Sequence, residues 1–231
     1  MKMIGLIGGM SWESSAQYYR IINSEVQKRL GGSHSAQSLM FSFDFAEIEH
    51  FQHVGDWKVL TSRMIAAAQS LERAGADFLL ICTNTMHRMA DDVAASSGIP
   101  LLHIADPTGR AVVAAGYKRV GLLGTAFTME QAFYKDRLAQ RFDLDVLVPN
   151  AADRAEIHRV IYEELVSGKV LPASRAIYRD IIGRLVEQGA QAIILGCTEI
   201  MLLVSQEDSA APLFDTTTLH ALAAVDFALE K

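Results

Sequence analysis

The chain of 231 residues has only two cysteines, Cys82 and Cys197, too few for a disulfide framework. In a reducing compartment such a pair is expected as free thiols. Nor is there a basic excess: Lys plus Arg number 21 against 27 for Asp plus Glu, a formal net charge of −6. That balance argues against a nucleic-acid surface, which needs a positive field, so an anionic ligand must be met by local groups. No apolar run approaches the roughly 18 residues needed to span a bilayer. A first strand expected from Met3 leaves no room for a charged n-region, apolar h-region and cleavage site, and a cytoplasmic location is expected. The chain has no H-E-x-x-H, no C-x-x-C and no dense His/Cys/Asp cluster, so a zinc site has no support. "GLIGGMSWES" reads G-x-x-G-G rather than G-x-G-x-x-G, and no G-K-S/T follows, which argues against a dinucleotide or ATP loop.

What is present is half apolar (50%) and modestly charged (21%), the composition of a globular protein. Short apolar runs alternate with segments of helical period, the pattern of βαβ units and a parallel sheet. Strands are predicted near 3–7, 37–43, 77–82, 100–104, 119–124, 144–148, 191–196 and 212–214. Helices are predicted near 12–29, 56–74, 85–97, 107–116, 128–140, 151–167, 172–188 and 216–230. Ser11, Asn84 and Thr128 with Gln131 read as helix starts. Trp12, Tyr18, Tyr19 and Tyr134 read as core residues.

The sequence also resembles itself. "GLIGGMSWESSAQYY" from Gly5 recurs as "GLLGTAFTMEQAFY" from Gly121, an offset of 116. "LERAGADFLLICTNT" from Leu71 matches "LVEQGAQAIILGCTE" from Leu185 at an offset of 114, and "PLL" at Pro100 matches "PLF" at Pro212 at 112. Three matches in one order at nearly constant spacing predict two similar α/β domains, each an open parallel sheet. The first domain is expected over 1–104 with a C-terminal helix of about 214–231, the second over 105–213, the two related by a pseudo-twofold. Ligands of open parallel sheets bind beyond the carboxyl ends of the strands, so the site is expected in a cleft between the halves.

At the offset of 114, Cys197 corresponds to Thr83, whereas Cys82 corresponds to Gly196. Cys82 is therefore expected as a buried packing thiol. Cys197, between a strand end and a short helix, is expected to be reactive, its pKa lowered by unpaired N–H groups and the helix dipole; a buried structural cysteine is the alternative. Asn84, Thr85, Thr198 and Glu199 sit at helix starts, where capping and anion binding are compatible. Gly8, Gly9 and Met10 are expected to let the backbone approach a small ligand. His87, four residues after Thr83, reads as a hydrogen-bonded structural residue or as a group one turn below the site.

"GLIGGMSWESS", "DFAEIEHFQ" from Asp44, "CTNTMH" from Cys82, "GCTEI" from Gly196 and "FDTTTLHA" from Phe214 together resemble the aspartate/glutamate racemases over nearly the full chain. Of these the bacterial L-aspartate/glutamate-specific, broad-specificity amino-acid racemases are the nearest in pattern. The resemblance implies two α/β domains, no cofactor, a homodimer, and a small amino-acid substrate rather than a nucleic acid or a membrane. Family members carry two cysteines that serve opposite faces of the substrate α-carbon. Here the first position is Thr83 and the second is Cys197. The resemblance thus implies Cys197 as base toward L-aspartate or L-glutamate and Thr83 as opposing proton donor or relay, with a bias toward L-substrates. Implied substrate contacts are Met10, Gln52, Thr83, Asn84, Thr85, Thr125, Thr198 and Glu199. Some two-cysteine members use a lysine after the motif seen here as "IYEEL"; this chain has Val166 there, so the substrate need not be acidic. Two other readings stand beside this one: a same-fold isomerase or decarboxylase with Cys197 as nucleophile, and a weakly catalytic amino-acid sensor.

Overall fold

The apolar runs "IGLIG", "FLLI" and "AIILG" become strands buried along their whole length, as expected of parallel strands covered on both faces. In the computed structural model, which describes residues 1–230, eight strands form two four-stranded parallel sheets. The first contains β1 (Ile4–Gly8), β2 (Ser38–Ser42), β3 (Phe78–Ile81) and β4 (Leu101–Leu102) in the order β2-β1-β3-β4. The second contains β5 (Arg119–Gly124), β6 (Asp145–Leu147), β7 (Ala192–Gly196) and β8 (Leu213–Asp215) in the order β6-β5-β7-β8. Strand for strand the two orders are the same, which is the internal repeat expressed as topology. The described residues fall into two compact units, 1–104 with 220–230 and 105–219.

In the first unit, α1 (Trp12–Leu30) buries Tyr18, Ile22 and Val26 at every fourth position, each contributing roughly 1.5–3 kcal/mol. These residues pack with Leu6, Leu80, Cys82 and the residues Ala221, Ala224, Val225 and Ala228 of α11 (Thr216–Leu229) over one sheet face. The other face is covered by α3 (Trp57–Arg73), through Leu60, Met64, Ala67 and Leu71, together with Val93 of α4 (Ala90–Ala95). Tyr18 is fully buried, but Trp12 and Tyr19 are 63% and 55% exposed, contrary to their expected place in the core. Helical spacing puts 12 and 19 together on the flank that the 18–22–26 stripe turns away from the sheet.

Three further expectations are corrected. Residues 45–54 form a helix that the sequence did not predict, α2 (Phe45–Val54): Asp44 accepts from the Ala46 N–H at 3.1 Å and Gly55 ends it in left-handed conformation. Only Ile48 and Gln52 of α2 are buried, so there was no apolar stripe to read. The single helix expected over 85–97 begins as a 3₁₀ turn, Thr85–Met89, before α4. The helix expected over 128–140 is two, α6 (Ala126–Glu130) and α7 (Ala132–Phe142), separated by an extended Gln131; the cap is Thr125, whose Oγ1 accepts from the Thr128 N–H at 3.3 Å.

The second unit is completed by α5 (Ala105–Ala114), α8 (Ala151–Glu163), α9 (Pro172–Glu187) and α10 (Ile200–Leu203). Ile157, Val160 and Ile161 of α8 and Tyr178, Ile181, Ile182 and Leu185 of α9 cover Leu123, Ile193 and Leu195 of its sheet. Tyr134 of α7, the repeat partner of Tyr18, is fully buried.

The glycines after β1 serve the protein's own packing. A Cβ on Gly9, which has φ +82°, would collide with the Phe43 backbone and lie 2.7 Å from Ser42 Oγ. On Gly8 it would lie 2.7 Å from Ser15 Oγ, and that hydroxyl accepts from the Gly9 N–H at 2.8 Å. The close approach expected for a ligand is thus made by Phe43 and Ser15. Gly9→Ala combines a forbidden φ with an overpacked contact, so a loss of about 2 kcal/mol or more is expected. In a chain of this size that lowers Tm by roughly 5 °C or more, and a thermal melt with unchanged Tm would refute the account.

Candidate active site

Strand pairing places the chemistry. In the second sheet Gly124 pairs with Gly196, so Thr125 and Cys197 leave adjacent strands side by side. A Cβ on Gly196 would lie 2.7 Å from Leu122 Cδ1 and 2.8 Å from the Leu123 carbonyl, so a small residue is required there. In the first sheet Ile7 pairs with Ile81, and one further step brings Gly8 beside Cys82. Cys82 therefore stands on the last row of the sheet, and its N–H donates to the Ile7 carbonyl at 2.9 Å. Thr83 and Cys197 each lie one residue beyond that row.

Cys82 is fully buried among Leu6, Tyr18, Leu80 and Ala221, and burial pushes its thiol well above the ordinary range. It is a packing residue. Thr83, Asn84 and Thr85 follow it, all buried beneath the surface. Met10 is buried after β1, and Gln52, the buried polar residue of α2, donates through Nε2 to Met86 Sδ at 3.4 Å. In the first unit the 3D structure thus gathers Met10, Gln52 and the Thr83–Thr85 segment near the carboxyl end of the sheet. The Gln52–Met86 link had no signal in the sequence beyond the quoted "DFAEIEHFQ".

In the second unit Cys197, Thr198 and Glu199 form one hydrogen-bonded group. Cys197 Sγ donates to Glu199 Oε2 at 2.9 Å, and Thr198 Oγ1 donates to the same oxygen at 3.0 Å. All three are buried, with Cys197 only 7% exposed. The backbone around them is tied down from β8 and α11: Thr216 Oγ1 donates to the Leu195 carbonyl at 2.8 Å and Thr217 Oγ1 to the Thr198 carbonyl at 3.5 Å. Thr125, on the neighbouring strand, spends its hydroxyl on capping α6, and the adjacent Ala126 N–H donates to His158 Nδ1 at 3.2 Å.

The expected lowering of the Cys197 pKa is overturned. Burial, then the negative charge of Glu199 and the hydrogen bond to it, push the thiol well above its ordinary value. Backbone N–H groups of Thr198 and Glu199 act the other way but are outweighed. A helix of four residues, α10, supplies little dipole, whereas a carboxylate at 2.9 Å acts at full strength in a buried setting. Cys197 at rest is a thiol with a proton acceptor already in place.

No group of three or more His, Cys, Asp or Glu among the described residues is placed to hold a metal ion, and no helix among them is long and apolar enough to cross a membrane. His87, His103 and His220 do lie close, with ring centroids 4.5 Å apart for the first pair and 5.8 Å for His87 and His220. His220 is committed elsewhere: Nδ1 bonds the Tyr18 hydroxyl and Nε2 the Leu102 carbonyl, each at 2.8 Å.

The chain is similar to known proteins over nearly its whole length. Residues 7–224 match the family model described as Asp/Glu/hydantoin racemase. A crystal structure of a candidate Asp/Glu racemase from Yersinia pestis is 51% identical, with both chains covered in full and a TM-score of 0.92. An aspartate racemase homologue from Pyrococcus horikoshii OT3 is 34% identical over the whole of both chains, with a TM-score of 0.83. A broad-specificity amino-acid racemase from Bacillus subtilis is 23% identical over 96% of each chain. A family match that runs from β1 into α11, over two sheets of one strand order, establishes that this chain belongs to the Asp/Glu/hydantoin racemase family of isomerases.

Proposed function

We propose that the chain is a cofactor-independent amino-acid racemase acting on L-aspartate or L-glutamate and on other amino acids, with Cys197 as base and Thr83 as the opposing proton donor. The observation that carries this reading is the buried hydrogen bond from Cys197 Sγ to Glu199 Oε2 at 2.9 Å. A thiol becomes a base only by losing its proton, and here a carboxylate stands ready to receive it. Passing the proton to Glu199 creates the thiolate, which takes the α-proton of the L-substrate. The Thr83 hydroxyl gives its proton to the other face of the carbanion and regains one from water, while Glu199 returns its proton to solvent. Substrate and enzyme atoms balance over the cycle.

A hydroxyl is a much weaker acid than a thiol, so removal of the D-substrate's α-proton by Thr83 is the slower direction. The assignment of Met10, Gln52, Asn84, Thr85, Thr125 and Thr198 to substrate binding rests on the family resemblance and on their placement at the carboxyl strand ends. Val166 packs against the apolar cluster of the second unit where some relatives carry lysine, which favours a substrate range wider than acidic amino acids. The same resemblance gives a homodimer and independence from PLP, and the cytoplasmic setting is proposed from the sequence, which offers no signal peptide or long apolar run.

The test is a panel of L- and D-amino acids incubated with purified protein and resolved by chiral chromatography. Interconversion of enantiomers, faster from L, is expected. Absence of turnover with every amino acid, or a covalent adduct on Cys197 by mass spectrometry, would sink the proposal.

A further inference from the structure

His87 is a buried histidine with no part in the chemistry above, and both of its ring nitrogens are used. Nδ1 lies 2.8 Å from the Thr83 carbonyl and Nε2 accepts from the Ile104 N–H at 3.1 Å. A backbone N–H can only donate, so Nε2 carries no proton; Nδ1 therefore does, and donates to Thr83. The ring is thus the neutral tautomer with one proton in a defined place.

Its partners sit on two adjacent strand exits. β3 and β4 pair at Leu79 with Leu101 and at Leu80 with Leu102, after which their ladder ends. His87 joins the two chains beyond that point, tying the residue after Cys82 to the residue after His103. The second unit is built differently. At the repeat offset of 114 the counterpart of His87 is Met201, and the Cys197 carbonyl accepts instead from the Ile200 N–H at 3.1 Å. The imidazole bridge belongs to the threonine half alone.

We infer that His87 is a positioning residue for Thr83, holding its carbonyl so that the adjacent hydroxyl is aimed at the substrate. A thiol is acidic enough to give up its proton readily, whereas a weakly acidic hydroxyl depends more on close alignment with the atom that receives its proton. The chain therefore carries the extra anchor where the weaker acid stands. The inference rests on the assignment of Thr83 as the opposing proton donor.

Two reactions of L-glutamate or L-aspartate in D₂O separate the faces. Deuterium entering recovered L-substrate reports Cys197 alone, and inversion to the D-form requires Thr83 as well. In His87→Phe, which keeps the ring shape without either nitrogen, inversion is expected to fall about tenfold or more while deuterium entry and KM stay within about twofold. His87→Asn keeps an N–H near the Nδ1 position and is expected to recover part of the inversion rate; His87→Gln, which does not, should recover less. Equal loss of inversion and exchange, or equal behaviour of the Asn and Gln variants, would overturn the inference. If His87→Phe does not fold, the Asn and Gln comparison decides alone. Thr83→Ala is the control for the underlying assignment: if it leaves inversion intact, that assignment has failed whatever His87 does.

Discussion

Cys197→Ala is expected to lower racemisation of every substrate by about 10³-fold, while Cys82→Ala leaves the rate within about twofold of the parent. The two thiols stand one residue apart in the register of the two repeats and both are buried, yet their surroundings differ in kind. Cys82 belongs to the buried apolar cluster of Leu6, Tyr18, Leu80 and Ala221, and burial alone raises its thiol. Cys197 donates to a carboxylate at 2.9 Å. Removing Cys82 therefore costs packing, about 1 kcal/mol for the small cavity left, and should appear as a slightly lower Tm with normal turnover. Removing Cys197 deletes the base and should appear in kcat, with a packing cost in Tm similar to that of Cys82→Ala. Chiral chromatography of the two variants beside thermal melts reads both quantities. A Cys82→Ala variant as inactive as Cys197→Ala, at a temperature where both are folded, would show that the wrong residue had been chosen.

Glu199→Gln is expected to act in opposite directions on two measurements. The carboxylate is one reason that the Cys197 thiol titrates above its ordinary value, so exchanging it for a neutral amide lowers that pKa. At pH 7 to 8 the variant then holds more thiolate than the parent, and alkylation of Cys197 by iodoacetamide should be faster. Racemisation should nevertheless fall by about 10²-fold, because each turnover reprotonates Cys197 and glutamine cannot carry that proton away to solvent. The sign for pH follows directly. In the parent the raised thiol pKa makes turnover climb as pH rises from neutral into the alkaline range; in Glu199→Gln the climb begins at lower pH but reaches a lower plateau. Slower alkylation together with slower turnover would mean that Glu199 stabilises the thiolate, and the proton-acceptor role would be lost.

The most informative part of the sequence was its comparison with itself. The offsets of 116, 114 and 112 require two sheets built alike, because a repeated order of apolar runs folds into a repeated order of strands. The same offsets separate Thr83 from Cys82 by a single residue, and the pairing of Gly124 with Gly196 puts that distinction into the sheet. Parallel strands buried on both faces are strongly apolar, so β1, β3, β5 and β7 were readable. Elements without such patterning were not. α2 buries only Ile48 and Gln52, and its start and stop depend on Asp44 and Gly55 in a stretch with no apolar period. The break at Gln131 was hidden because both flanking segments favour helix; only the cap at Thr125 shifts the start.

What the sequence determined by itself was therefore the connectivity, the repeat and the residue types at the strand ends, since these follow from periodicity and order along the chain. What only the tertiary structure decided was the state of those residues. The position of Cys197 before a short helix argued for a lowered pKa, yet burial and the turn of Glu199 onto Sγ raise it, because a pKa depends on distances in space that spacing along a chain does not specify. Likewise His87 had two open readings until its two nitrogens were found on Thr83 and Ile104, a bridge across 17 residues of sequence that exists only once β3 and β4 lie side by side.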